Sequence, residues 1–449
     1  MFFYLGSSGQ ALNAGDSFDF YMSHTLTLGC SGPNGSVTAS TSGQFDNFSP
    51  TLAETAVPEP GSLLLLLGGP GGNAPPGLIA VTRNPVHNPG ARGCRRGRGG
   101  MTDEAGGEAR AWDAVAEWYH AFFTAVILAA VTRRSHRDAA DLVFAVFRRQ
   151  QLALFLPGLA KLGLDAKPHA VACAQYHYLS NAIGGVSVEW SGESDRKSWV
   201  RYPPPRWIWH GTAIAAVPGE VSRAMLRGWH GHNGVALGNP RLGFVCTGQT
   251  VEGDPGLEGY YLEHDRDLAP EERVRFARHE MAPRFDPAAA PVLASDAWPA
   301  ARIKKAKRNY ALAYVRTAIP AAIQLWGAAE AVALLSLTGR LIGMQLYCAT
   351  AEALPSADFA GFMVALARAQ GDAAEVVAPG VVRQTSWTLM RGVADVHPAA
   401  FACWNGLLEG ALAAHDRFAE LQVTARLDLG DPCFEWRVVP RRMAAAIGG

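Results

Sequence analysis

The chain has 449 residues, and its 40 Lys and Arg residues balance its 40 Asp and Glu residues. This length allows two or three domains with a sizeable core. Balanced charge gives neither the basic field that binds nucleic acid nor an acidic character suited to a basic partner, so we expect no nucleic-acid partner. The low charged fraction of 18% and the high Ala and Gly content indicate a GC-rich bacterial coding style.

Seven Cys residues are scattered along the chain without a Cys-x-x-Cys pair or a Cys/His spacing typical of metal ligands. An odd, scattered set of thiols is typical of a reduced cytoplasmic protein rather than of a disulfide framework. We therefore expect a cytoplasmic location, no metal and no cofactor.

Residues 1–100 differ in composition from the rest of the chain. Residues 36–45 alternate in the manner of a secreted β-sandwich edge. Residues 57–67, Val-Pro-Glu-Pro-Gly-Ser followed by five Leu, resemble the PEP-CTERM sorting signal, but a bilayer span needs about 20 apolar residues. We interpret residues 1–100 as a disordered or mis-annotated leader with Met101 as the true start, and a natural low-complexity leader is the alternative.

Residues 101–265 are predicted to form a first α+β repeat. Apolar residues recur at spacings of three and four in the front part, and the period shifts toward two after Gly184. The predicted helices cover residues 111–131, 137–163 (interrupted at Pro157-Gly158), 169–182 and 219–235. The predicted strands cover residues 186–190, 198–202 and 207–210 and a pair around Gly253-Asp254-Pro255.

A Pro- and Ala-rich connector, residues 266–300, leads to a second repeat in residues 301–440. The predicted elements there are helices at 303–353, 357–371 and 398–415, a strand at 386–391 and a strand pair around Gly430-Asp431-Pro432. Four local correspondences suggest duplication. They pair Ser198-Trp199 with Ser386-Trp387, His210-Gly211 with Arg391-Gly392, Pro218 with Pro398, and the first Gly-Asp-Pro with the second.

These patterns predict an α+β fold of two tandem repeats, each with a helical front followed by a helix and an antiparallel hairpin or sheet. Chance is the alternative explanation for the correspondences, because Gly, Pro and Ala are so common here. Residues 318–337 are nearly long enough to cross a bilayer but contain Glu330, which is costly near the membrane centre. We expect a core helix there and no membrane partner.

The closing motif, Gly-Asp-Pro-Cys-Phe-Glu-Trp at residues 430–436, resembles the end of the L-2-amino-thiazoline-4-carboxylic acid hydrolase family. The hairpin ending is also similar to that of vinyl-reductase-type sensing domains. The resemblance implies a soluble α+β protein that binds a small carboxylated heterocycle or hydrolyses its C–N bond. It points to Cys433, whose counterpart in the first repeat is Gly256.

Three side chains are candidate catalytic residues. Cys433 is a nucleophile if its pKa is lowered by a nearby base or helix N-terminus, and a buried apolar residue otherwise. His210 is a general-base candidate because its ordinary pKa lies near neutrality. Glu409, one turn beyond Trp404, is placed to orient water or a His, and a solvated helix carboxylate is the alternative.

Candidate substrate-binding residues include Arg391, whose guanidinium matches a carboxylate in a bidentate pair. The others belong to a tryptophan-rich set that suits either an apolar ligand site or a plain aromatic core. They are Trp209, Trp229, Trp387 and Trp404. His230 and His232, two residues apart, do not share a helical face, so we do not expect them to bind a metal.

Three hypotheses follow for the function. The first is a small-molecule hydrolase acting on a C–N bond of a carboxylated heterocycle. The second is a non-catalytic binding or sensing protein built from the same repeat, with a small-molecule ligand as its partner. The third is a structural or interaction protein whose halves pack as a pseudo-dimer, with a solid core and no enclosed cavity.

Overall fold

The structure is a computed structural model that describes residues 104–204 and 216–441, and the backbone of three strands between residues 19 and 39. The chain divides into two units, Met1–His87 and Asn88–Gly449. In the first unit, strands β1 (Asp19–Tyr21), β2 (Thr25–Gly32) and β3 (Gly35–Ala39) form an antiparallel sheet in that order. This sheet lies within the predicted leader, and its strand β3 overlaps residues 36–45, where the alternation is typical of a strand. The sorting-signal resemblance at residues 57–67 and Met101 lie outside the described residues.

The second unit has an α+β fold. We call residues 104–263 the first half and residues 300–440 the second half. The first half contains, in order, α1 (Glu104–Arg133), α2 (His136–Lys161), α3 (His169–Ile183), β4 (Glu189–Ser194), β5 (Lys197–Tyr202), α4 (Gly219–Gly228), α5 (His230–Ala236), β6 (Leu242–Gly248) and β7 (Leu257–Glu263). A further strand, β8 (Val274–Phe276), follows it.

The second half contains, in order, α6 (Ala300–Trp326), α7 (Ala328–Ala353), α8 (Phe359–Gln370), β9 (Ala374–Ala378), β10 (Val381–Gln384), α9 (Ala399–His415), β11 (Ala419–Ala425) and β12 (Phe434–Pro440). Buried apolar side chains of both halves belong to one continuous core. The two halves therefore fold together within this unit.

Three predicted helix boundaries are wrong. Helix α2 continues through Pro157 to Lys161, although proline removes one helical hydrogen bond. The predicted helix at 219–235 is two helices, α4 and α5, that meet at Trp229. The predicted helix at 303–353 is also two helices, because Gly327 between α6 and α7 has a φ of 81°, which a helix interior cannot accommodate.

The break at Gly327 divides the apolar span at residues 318–337, so the span is not one helix. By length and composition alone, two other stretches are apolar enough to cross a membrane, Gly106–Arg133 and Ala328–Ala353. The protein itself buries 61% of the apolar window of the first and 44% of that of the second. Core helices of other proteins share this property.

Each half ends in its own sheet. The first sheet has the strand order β4-β5-β7-β6-β8, and the second has the order β11-β12-β10-β9. Strand β8 lies inside the predicted connector and pairs in parallel with β6, so residues 266–300 contribute a strand rather than only a link. When β8 is left out and the second sheet is taken from its other edge, both sheets have the order first, second, fourth and third strand of their half.

The predicted strand at residues 386–391 is also wrong, because Thr388–Met390 form a 3₁₀ turn. Asp372 holds this turn, since its Oδ1 accepts a 2.6 Å hydrogen bond from the Thr388 backbone nitrogen. The Thr388 hydroxyl in turn donates to the Gly371 carbonyl at 3.0 Å. These bonds fold the segment against the end of α8 and keep it out of the sheet.

The Gly-Asp-Pro turns of the two halves have the same geometry. Gly253 and Gly430 have φ values of 90° and 98°, a conformation that glycine adopts without strain. Asp254 Oδ2 accepts from the backbone N–H five residues earlier at 2.8 Å, and Asp431 Oδ2 does so at 2.7 Å. Pro218 and Pro398 each directly precede a helix, α4 and α9.

The last strand of each half carries the same polar contacts beyond its turn. Glu258 of β7 accepts from Thr247 at 2.9 Å and pairs with Arg201 at 3.4 Å. In the second sheet the corresponding residues are Glu435, Thr424 and Arg383, with distances of 2.9 and 3.0 Å. The register of both sheets shifts at the same place, Thr247 and Thr424.

This register corrects one of the sequence correspondences. Tyr202 pairs with Leu257 in the first sheet, and Gln384 pairs with Phe434 in the second. Tyr202 therefore corresponds to Gln384, and Ser198-Trp199 lies inside β5 whereas Ser386-Trp387 follows β10. The proposed pairing of these two dipeptides is wrong. His210-Gly211 lies outside the described residues.

Candidate ligand-binding site

A cavity of about 440 Å³ lies in the first half, closed on one side by helix α6 of the second half. Helices α2 and α3 and the junction of α4 with α5 form the rest of its wall. Because α6 supplies one wall, the site needs both halves. The side chains used below are Gln150 and Lys161 from α2, His177 and Asn181 from α3, Trp229 and His230 at the α4–α5 junction, and Tyr310, Tyr314 and Arg316 from α6.

One end of the cavity is a stack of three rings. The His177 and His230 imidazoles lie 4.1 Å apart and 10° from parallel. The Tyr261 ring, from β7, is nearly parallel to both, at 5.8 and 5.9 Å. Two imidazolium ions at this separation would repel each other, so the stack disfavours a second proton once one ring is charged.

Asn233 fixes the orientation of this stack. Its Nδ2 donates to the Tyr261 hydroxyl at 2.8 Å and lies 3.2 Å from His177 Nε2. Its Oδ1 accepts from Gln151 at 3.4 Å. An amide N–H can donate only to an unprotonated ring nitrogen. If Asn233 Nδ2 is the donor, His177 Nε2 is the acceptor, and the neutral His177 carries its proton on Nδ1.

A second polar chain crosses from α6 to α3. The Tyr314 hydroxyl donates to the Tyr310 hydroxyl at 2.9 Å, and Tyr310 donates to Asn181 Oδ1 at 3.1 Å. Asn181 Nδ2 donates to the Tyr202 hydroxyl at 3.4 Å. These bonds fix the rings on opposite sides of the cavity relative to one another, so the site is preorganised.

Two buried N–H donors of the cavity wall have no acceptor among the described residues. Gln150 is only 5% exposed, and its Nε2 has no hydrogen-bond partner. The buried indole nitrogen of Trp229 has none either. Leaving a buried donor unpaired costs roughly 1–3 kcal/mol, so both side chains are polar groups placed in the wall at a cost to stability.

The charge of the wall is one-sided. Lys161 and Arg316 line the cavity, and no Asp or Glu does so in the part of the chain that the structure describes. The Lys161 ammonium lies 5.1 Å from the centre of the Trp298 ring, at the outer end of the cavity. This arrangement favours an anionic or acceptor-rich ligand over a cation.

The Arg316 guanidinium is held by the second half. Its Nε donates to the Leu389 carbonyl at 2.7 Å and its Nη2 to the Thr388 carbonyl at 2.9 Å. Burial, followed by the nearby charge of Arg391, lowers the pKa of Arg316. Burial and the charge of Arg391 both disfavour the positive charge of Arg316 inside the protein.

Of the site residues predicted from the sequence, Trp229 is the one that lines this cavity. His210 and Trp209 lie outside the described residues. Cys433, Trp387 and Trp404 lie in the second half, away from the cavity wall, and Cys433 is 5% and Trp404 2% exposed. The Trp404 indole donates to Tyr119 at 2.9 Å, so it has the partner expected of a core residue.

The two predicted charged residues also have protein partners. Glu409 accepts from Asn405 at 2.9 Å and pairs with Arg340 at 2.9 Å. Arg391 is exposed and donates to the Thr388 hydroxyl at 2.8 Å. Neither is among the residues that line the cavity. The structure does not gather the predicted residues into one site.

The thiol nearest to the ring stack is inert. Cys173 is fully buried on α3, and burial raises its pKa well above the ordinary value, although Asn233 hydrogen-bonds to it. It stays protonated at neutral pH and is a poor nucleophile. Within the described ranges, no group of His, Cys, Asp and Glu is placed to hold a metal ion.

Sequence reasoning missed most of the residues that line the cavity. His177 lies in a predicted helix and has no predicted role, although a histidine between two tyrosines in a buried helix indicates a polar group in the core. Arg316 has no predicted role either. Gln150 and Gln151 directly precede the apolar run of residues 152–156, and a buried amide is more informative than an exposed apolar residue. No local sequence pattern predicts a role for Arg316, because it lines the cavity only through the packing of α6 against the first half.

Comparison with family models, with curated proteins and with solved structures gives no match for this chain.

Proposed function

We propose that the protein binds a small, acceptor-rich molecule in the cavity of the first half. The observation that carries this proposal is the composition of the cavity wall, in which aromatic rings and amide side chains lie beside the cations Lys161 and Arg316 and no described carboxylate. A volume of about 440 Å³ falls in the range of small-molecule sites. A ligand with carbonyl or carboxylate oxygens would supply acceptors to these cations.

The charge of the wall narrows the ligand class to a carboxylated aromatic or heterocyclic molecule. Lys161 and Arg316 are both positive, and aromatic rings of Trp229, Tyr310 and Tyr314 offer faces for a flat ring system. The resemblance of the closing motif points to the same class. A cavity of this size, with polar side chains in a mostly apolar wall, also counts against a purely structural protein with a solid core.

Filling the cavity tests this proposal. Ala313 of α6 lines the cavity, and Ala333 of α7 is exposed outside it. The probes are benzoate, indole-3-carboxylate, quinoline-2-carboxylate and 2-amino-thiazoline-4-carboxylate. We expect at least one to raise the melting temperature of the wild type and of Ala333→Phe, and to have no effect on Ala313→Phe. The proposal fails if no probe binds to the wild type by calorimetry, or if Ala313→Phe binds as well as the wild type.

Hydrolysis of a C–N bond in the same ligand class is the second candidate function. The imidazole of His177, which lines the cavity, favours it, because its Nε2 can accept a proton from water once water replaces the Asn233 N–H at that nitrogen. Consumption of 2-amino-thiazoline-4-carboxylate, followed by chromatography, is then expected for the wild type and for Cys433→Ala. It is expected to be lost in His177→Gln. If the wild type consumes none, this candidate falls and binding stands.

We also infer that the two halves are copies of one ancestral unit. Support comes from the equal strand order, the equal Gly-Asp-Pro turns and the equal Arg–Glu–Thr contacts. On this view the proposed ligand site belongs to the first copy, and α6 of the second copy completes it.

A further inference from the structure

Arg316 is a half-buried cation without a carboxylate partner. The described residues place no Asp or Glu in contact with it, and no acidic group contributes to its pKa. Arg308, two turns earlier on α6, differs because Asp372 and Glu108 both act to raise its pKa. Buried charges in proteins are usually paired, so the charge of Arg316 lacks the anion that its environment favours.

The guanidinium is also preorganised. The Leu389 and Thr388 carbonyls occupy Nε and Nη2, which leaves Nη1 without a hydrogen bond to the described protein. Holding the fork in place lowers the entropy cost of binding a planar anion. Arg316 lines the same cavity as the side chains of Gln150 and Trp229.

We propose that Arg316 receives the carboxylate of the bound ligand and so sets a preference for carboxylates over neutral analogues, an inference that rests on the proposed function. Lys161 stands at the outer end of the cavity and is exposed, so it contributes mainly through its longer-range field.

A matched pair of probes tests this role. Quinoline-2-carboxylate and quinoline-2-carboxamide have nearly the same shape, and only the first is an anion. By calorimetry we expect the wild type to bind the carboxylate about 10-fold to 100-fold more tightly than the amide, as a charged hydrogen bond allows. Arg316→Gln is expected to bind the two with similar affinity. Arg302 provides the control, because it stacks on the lining residue Trp298 but does not itself line the cavity. Arg302→Gln is expected to keep the wild-type preference.

The outcomes separate the two proposals. If neither quinoline probe nor any other probe binds to the wild type, the proposed function itself fails and this inference fails with it. If the wild type binds both quinoline probes equally, or if Arg316→Gln keeps the preference, the role of Arg316 is wrong and ligand binding stands.

Arg316→Gln also removes two hydrogen bonds to the 388–390 turn, so its melting temperature is measured first. A second test needs no variant. Crystals of the wild type soaked with 6-bromoquinoline-2-carboxylate locate the bromine by anomalous scattering and fix the direction of the ligand. We expect the carboxylate within hydrogen-bond distance of Arg316, and a carboxylate directed elsewhere overturns the inference.

Discussion

The two halves of the second unit share an order of elements but differ in how their interiors are filled. The first half keeps polar groups and a cavity at its centre. Around α9 of the second half, aromatic rings pack against one another, with centroids 5.1 Å apart for Phe401 and Phe434 and 6.0 Å apart for Trp404 and Trp436. The same architecture therefore supports either a site or a solid core.

One register position illustrates the difference. Trp436 follows Phe434 by two residues, and the corresponding residue of the first sheet is Gly259, which follows Leu257 by two. A Cβ at Gly259 would lie 2.3 Å from the Val245 carbonyl oxygen, so the strand leaves no room for a side chain there. At Trp436 the indole instead fills the space toward α9 and donates to Asn405 at 2.9 Å. The comparison teaches that the two halves fill the same register position differently, with the ring of the neighbouring Phe244 in the first half and with the strand's own indole in the second.

Removing this side chain is the strongest test of the comparison. Trp436 is 1% exposed, and Trp436→Ala is expected to lower the free energy of unfolding by about 3–5 kcal/mol, because it opens a cavity and leaves the Asn405 acceptor unpaired. Thermal or denaturant unfolding measures the loss. Indole added at millimolar concentration should restore part of the stability by occupying the new space.

The first half supplies the control. Tyr261→Phe removes one hydrogen bond from Asn233 without opening a cavity, so we expect a loss of about 1 kcal/mol and no effect of indole on the loss. If Trp436→Ala were no more destabilising than Tyr261→Phe, the second half would not be the tightly packed member of the pair.

The equivalence of the two turns gives a smaller expected effect. Asp254→Ala and Asp431→Ala each remove one carboxylate bond to a backbone N–H, and each is expected to cost about 1–2 kcal/mol. Asp254 also lies 3.7 Å from Arg278, so its loss is expected to be the larger by a few tenths of a kcal/mol. A cost at one turn without a cost at the other would contradict their equivalence.

Much of the fold followed from patterns that are local in the sequence. The Gly-Asp-Pro turns were found because a positive φ calls for glycine and an aspartate readily caps such a turn. The helices of the front part were found because their apolar spacing survives in a core. The division of residues 303–353 was missed, because Gly327 has ordinary apolar neighbours on both sides. The 3₁₀ turn at Thr388–Met390 depends on Asp372, 16 residues away in sequence, which no local pattern shows.

The site was harder to predict than the fold, because its parts come from distant stretches. Trp229 was predicted because the sequence is rich in tryptophan. The roles of His177, Gln150 and Arg316 depend instead on the packing that brings them to one cavity wall. The predicted second-half residues are aromatic or charged for packing reasons, as the contacts of Trp404 and Glu409 show. Aromatic content by itself does not distinguish a ligand site from a core.

Asp372 holds the 388–390 turn, and its ionisation is expected to change the stability of the second half with pH. It is 5% exposed, its Oδ2 has no partner among the described residues, and burial raises its pKa above the ordinary 3.8. Between pH 3.8 and the raised value the folded protein binds more protons at this group than the unfolded chain does. Its contribution to the free energy of unfolding therefore falls as the pH rises through that window.

Asp372→Asn cannot ionise and keeps an oxygen for the Ser386 and Thr388 donors. We expect the stability of the variant relative to the wild type to rise with pH across the same window, by about 1.4 kcal/mol for each unit by which the pKa is raised. Taking the difference between variant and wild type cancels carboxyls such as Asp113, whose lowered pKa acts in the opposite direction. A difference that does not change between pH 3.8 and neutrality would show that Asp372 ionises as freely as in the unfolded chain. The turn that holds Arg316 would then rest on a carboxylate that burial does not make harder to ionise.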